Sequence, residues 1–152
     1  ELFSASTKVG AILAEVDDRK KDALEFYGRN LGLTFQIADD TLDYNSDLKM
    51  FGKTLGKDFF EGKITLPVIL LFQKIEQTEK IKLTKIFKAE ERSNNDLDFI
   101  LNLMKTNKII NECYKKADHY INLASNSLSA FNDTKEKKIF QELTSFSLER
   151  NF

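Results

Sequence analysis

One cysteine, one proline, one histidine and no tryptophan are found in this chain of 152 residues, and each scarcity closes off a class of protein. The lone Cys113 cannot build a disulfide framework or a cysteine zinc cluster, which fits a reducing, cytoplasmic compartment. Cys113 and the sole histidine, His119, lie too far apart around a helix to share a face, so the thiol reads as buried and inert. Charge of one sign is also lacking. The 23 basic and 24 acidic residues leave a net charge of −1, so no global field draws in nucleic acid or an anionic membrane. The longest apolar run, Leu66 to Phe72, is far short of the roughly 20 residues that span a bilayer. No transmembrane segment, signal peptide or anchor is expected.

Beyond Pro67 there is neither proline nor glycine, and alternating β-branched runs and repeats are absent throughout. The expected class is all-α. An apolar content of 41% suits one domain over residues 1–152 with a sizeable core. Leu2, Phe3, Val9, Ile12, Leu13 and Val16 give a first helix whose opening residues offer no N-cap, as though the chain begins inside a helix. A second helix runs from Asp17 or Asp18 to Asp43. A Gly- and Lys-rich loop, Ser46 to Lys63, follows, and Thr65-Leu66-Pro67 sets proline in the first turn of the next helix. Glu79 to Glu91, Asp96 to Lys105, Lys108 to Ser127 and Lys135 to Arg150 complete the series. Ser93-Asn94-Asn95 and Asn132-Asp133-Thr134 read as breaks with capping residues. Phe26, Phe35, Phe51, Phe59, Phe60 and Phe72 are read as core packing.

Within the second helix, Gln36, Asp39, Asp40 and Asp43 fall in an arc of about 100°. Like charges one turn apart repel, more strongly where water is scarce, so the stripe asks for a cation. Magnesium is typically held by one or two carboxylates plus water and phosphate oxygens. Asp39, Asp40 and Asp43 are therefore candidate Mg2+ ligands for a metal-bridged diphosphate, the alternative being a solvated acidic patch. Downstream, Gly52, Gly56 and Gly62 let a loop fold closely over a ligand while Lys53, Lys57 and Lys63 supply point charges for phosphate oxygens. An EF-hand is excluded: Asp43, Asn45 and Asp47 match its first positions, but Leu48 replaces the glycine and Thr54 the glutamate. No phosphate-loop or dinucleotide glycine motif occurs.

Two strings in order, Gly32-Leu33-x-Phe35-Gln36-x-x-Asp39-Asp40-x-Leu42-Asp43-Tyr44 and Gly52-Lys53-x-x-Gly56-x-Asp58-x-x-Glu61-Gly62-Lys63-x-Thr65-Leu66-Pro67, resemble the second aspartate-rich region of trans-type polyprenyl diphosphate synthases. The Glu61-to-Pro67 spelling is similar to the long-chain, octaprenyl-like branch. The resemblance implies an all-α, partial isoprenoid-synthase-type helical bundle that extends an allylic prenyl diphosphate with isopentenyl diphosphate by Mg2+-assisted ionisation and condensation. It also implies roles for residues. Asp39 would ligate Mg2+, with Asp40 and Asp43 helping directly or through water; Lys53 and Lys63 would contact the allylic diphosphate; Gln36 would face the reacting centre as a neutral dipole. Asp58 would brace the lysine loop, and Lys57 would face solvent.

The first Asp-rich motif and the Arg-rich isopentenyl diphosphate site of that family are not found in these 152 residues. The chain thus resembles the C-terminal half of a synthase, expected to be inactive alone and to bury its uncovered apolar faces as a homo-oligomer, a dimer or larger. Product chain length is not legible. A rival reading is a non-catalytic all-α partner or scaffold subunit of a heteromeric synthase, though such a subunit would be expected to lose the aspartates. Terpene cyclisation is disfavoured, because its second metal motif mixes Asn, Ser or Thr with Glu at wider spacing.

Overall fold

The computed structural model describes residues 1–45 and 55–149, and every regular element among them is helical, as expected. The order is α1 (Leu2–Leu13), α2 (Asp18–Leu42), α3 (Lys57–Phe60), α4 (Leu66–Lys74), α5 (Gln77–Lys88), α6 (Asn94–Thr106), α7 (Ile109–Ser127), a 3-10 turn (Leu128–Ala130) and α8 (Lys135–Glu149). They form two compact units, one of Glu1–Ala38 with Lys115–Phe152 and one of Asp39–Tyr114. The division falls inside α2 and α7.

In the first unit, Tyr27, Leu31, Ala124 and Leu128 make a buried cluster against which Leu24, Phe131 and Phe140 pack. The Tyr27 hydroxyl donates to the Phe140 carbonyl at 2.7 Å, tying α2 to α8. Helices α1 and α2 touch closely at Gly28, where a Cβ would collide with the Phe3 carbonyl and the Thr7 hydroxyl. That hydroxyl donates across to the Leu24 carbonyl at 2.6 Å.

The second unit is built around Phe59, Leu71, Leu83, Ile100, Met104 and Ile109, all buried, with α4 packed on α6. Pro67 sits in the first turn of α4, where its missing N–H costs little. At the start of α6 the Ser93 hydroxyl accepts from the Asp96 N–H at 3.2 Å while the Asp96 carboxylate accepts from the Ser93 N–H at 3.0 Å, a reciprocal cap. Cys113 is buried, as expected.

The structure corrects several expectations. Helix α3 interrupts the stretch read as loop, and α5 begins at Gln77 rather than Glu79 because Glu79 reaches back to the Glu76 N–H at 3.0 Å. Phe59 is core, but Phe26, Phe35, Phe60 and Phe72 are all exposed, since each helix has one inward stripe and an aromatic beside it turns outward. Phe72 instead lines a cavity of about 440 Å³ with Ile64, Ile69 and Phe87, and Phe35 lies 5.6 Å from the Phe3 ring. Phe51 lies outside the described residues.

Candidate metal and diphosphate site

Helix α2 ends at Leu42, and the Tyr44 N–H donates to the Thr41 carbonyl to close its last turn at 3.1 Å. Asp39 is exposed on that turn, while Asp40 and Asp43 are half-buried. Tyr44 is buried just beyond, with its hydroxyl beside that of Thr65. Burial, followed by the neighbouring Asp43 and Asp58 carboxylates, pushes the Tyr44 hydroxyl well above its ordinary pKa.

Asp43 meets α3 through both its carboxylate and its carbonyl. Its carboxylate accepts from the Lys57 N–H at 3.0 Å and the Asp58 N–H at 2.8 Å, and its carbonyl accepts from the Gly56 N–H at 2.9 Å. It thus caps the first turn of α3, satisfying amides that have no partner within the helix. Burial raises the Asp43 carboxyl above the usual carboxylate range, opposed by those two N–H bonds and assisted by repulsion from Asp58 and Asp39.

At the other end of α3 the Gly62 N–H donates to Phe59 and the Lys63 N–H to Asp58, both at 2.9 Å, with Gly62 at φ +75°. This is the double bond of a Schellman ending, which calls for a residue in the left-handed region and so favours glycine. The turn delivers the Lys63 ammonium to Glu61 at 2.7 Å and Asp58 at 3.0 Å. Glu61 first, then Asp58, hold that ammonium above its ordinary pKa.

The structure therefore gathers Asp39, Asp40, Asp43, Asp58 and Lys63 into one unit. Lys57 is exposed, as read from the sequence. Lys53 lies outside the described residues. Gln36 precedes the aspartates in α2 but belongs to the first unit, where it lines a cavity of about 870 Å³ with Phe3, Arg29, Leu33 and Phe35. Among the described residues no group of three or more His, Cys, Asp or Glu could hold a metal ion by itself. The oxygen donors of Asp39 and Asp40 nonetheless fit magnesium, which keeps waters and borrows phosphate oxygens rather than filling an all-protein cage. Sequence reasoning missed two participants, Glu61 as a partner of Lys63 and Arg92, whose guanidinium reaches the Phe60 carbonyl at 3.1 Å. Glu61 was within reach of a spacing argument, but Arg92 comes from a polar break with no local signal.

A polyprenyl synthetase family model matches residues 1–104. The chain is 34% identical over 104 residues to a short chain isoprenyl diphosphate synthase of Methanocaldococcus jannaschii, covering 68% of this chain and 32% of that protein. It is 28% identical to an octaprenyl diphosphate synthase of Haemophilus influenzae, covering 99% and 46%. A polyprenyl synthase from Caulobacter crescentus CB15, solved in complex with calcium and isoprenyl diphosphate, superposes with a TM-score of 0.88 at 33% identity, over 99% of this chain and 46% of that one. The chain spans less than half the length of these relatives, which carry both short-chain and octaprenyl names. With the family model matched over residues 1–104 and the helical fold shared with a solved polyprenyl synthase, the chain belongs to the polyprenyl synthetase family.

Proposed function

We propose that this chain supplies the second metal-and-diphosphate half of a trans-prenyl diphosphate synthase, which extends an allylic prenyl diphosphate with isopentenyl diphosphate. The observation that carries this is the juxtaposition, in one unit, of the Asp39-Asp40-Asp43 turn with a Lys63 ammonium presented on a capped turn. Asp39 and Asp40 would hold Mg2+, and Asp43, which caps α3, would assist them directly or through water. Magnesium, when bound, neutralises the charge that grows on the departing diphosphate. Lys63 exchanges its carboxylate partners for a phosphate oxygen, and Lys53 adds a second ammonium. An amide such as that of Gln36 carries no negative charge to trap an allylic cation.

The two halves of the chemistry need not reside in the same 152 residues. The chain forms one functional domain that binds magnesium diphosphate yet does not turn over substrate alone, and it self-associates. The Glu61-Gly62-Lys63-x-Thr65-Leu66-Pro67 spelling supports the long-chain branch.

Calorimetric titration with magnesium and a non-hydrolysable allylic diphosphate analogue tests the reading. Binding is expected only with magnesium present, and Asp39→Ala combined with Asp43→Ala is expected to weaken it at least about tenfold. Magnesium-independent binding, or none, would sink the proposal. Steady prenyl transfer by the chain alone would refute the inactivity claim.

A further inference from the structure

We propose that Arg92 is a positioning residue that holds the Lys63 turn in the shape that receives a diphosphate; this rests on the function proposed above. The carbonyls of α3 are taken up one by one: Lys57 by the Glu61 N–H, Asp58 by the Lys63 N–H and Phe59 by the Gly62 N–H. The last, Phe60, accepts from the Arg92 Nη1 at 3.1 Å. The same guanidinium donates through Nη2 to the Phe87 carbonyl at 3.3 Å, and its Cζ lies 5.9 Å from the centre of the Phe87 ring. Phe87 in turn meets the buried Phe59 of α3 edge to face, with 5.7 Å between ring centroids.

Arg92 also covers the turn itself. A Cβ added at Gly62 would meet Arg92 Nη2 at 2.5 Å and Cζ at 3.0 Å. The guanidinium therefore lies directly against the residue whose left-handed backbone aims Lys63. At the other end of α3, Leu97 covers Gly56 in the same way, with its Cδ2 at 2.7 Å from such a Cβ. One short segment, Arg92 to Leu97, thus closes over both ends of the element that Asp43 caps. A planar group with several donors in a fixed fork can bridge two carbonyls while lying flat against a glycine, which a lysine ammonium cannot do. Among the described residues Arg92 makes no carboxylate pair at the site. Its influence on a ligand passes through the backbone of residues 60–63.

The test uses the full chain and magnesium pyrophosphate as probe, with amide hydrogen exchange at Gly62 and Lys63 followed alongside calorimetric affinity. Arg92→Ala is expected to speed exchange at both amides and to weaken pyrophosphate binding by about tenfold, the loss of one charge-assisted hydrogen bond. Arg92→Lys, which can reach one carbonyl but not two, should fall between wild type and Arg92→Ala. Leu128→Ala, a buried position in the core of the first unit, serves as a destabilised control and should bind as the wild type does. Wild-type affinity in Arg92→Ala, unchanged exchange, or an equal loss of affinity in Leu128→Ala would overturn the proposal. Failure of the wild-type chain to bind the probe would instead overturn the reading on which it rests, and this proposal with it.

Discussion

Asp43 shows what one residue's spelling reveals and what it conceals. Its place on the acidic stripe is plain from a spacing of three and four residues, but its bonds to the Lys57 and Asp58 amides reach across a stretch that local periodicity does not describe. The carboxylate is thus tied to the fold of its own unit as well as, in the proposed function, offered to a metal. Asp43→Ala is expected to cost about 1–2 kcal/mol by analogy with lost helix caps, read as a lower urea midpoint without magnesium. Asp43→Asn, which keeps an acceptor oxygen, should lose only part of that. Equal midpoints for all three proteins would rule out the capping role.

At the scale of elements, the long amphipathic helices were legible because apolar residues recur at helical spacing over many turns, as along α2 and α7. Helix α3 was not. Four residues carry no periodic signal, and this turn exists because Asp43 at one end and the Schellman bonds at the other supply what its length cannot. The outward turn of Phe26 and Phe72 was hidden for a related reason: identity reports a preference for burial, while packing partners decide the face. Tyr27, by contrast, both fills the first unit's core and joins α2 to α8. Burial lifts its hydroxyl from 10.0 to about 12. The folded chain keeps a proton there that the unfolded chain releases, so this contribution to stability is whole below pH 10 and drains away as pH climbs toward about 12. Thermal melts across that window should fall for the wild type and fall less steeply for Tyr27→Phe. The difference between the two separates Tyr27 from the lysines that titrate nearby. Parallel curves would remove Tyr27 from the account.

For the whole molecule, class and family were readable because the aspartate and glycine-lysine strings each occur unbroken in the sequence. The division into two units was not, since its borders fall inside continuous helices whose sequence patterns give no sign of a break. Apolar side chains remain on the surface, among them Leu2 and Leu13 of α1, each 78% exposed, and Ile139 and Phe146 of α8. Such area favours association, because each square ångström of apolar surface removed from water contributes about 25 cal/mol before the entropy of association is counted. Sedimentation velocity at micromolar concentration should accordingly show a dimer or larger species, with Leu13→Lys shifting the distribution toward monomer. A single monomeric boundary for the unaltered chain would contradict this.

The close approach at Gly28 reaches further than its own position. The helices it holds together, α1 and α2, supply opposite walls of the chamber lined by Phe3, Leu33, Phe35 and Gln36. A single methyl group at residue 28 would act as a wedge, prising the walls apart and changing the chamber's width without altering any side chain that faces into it.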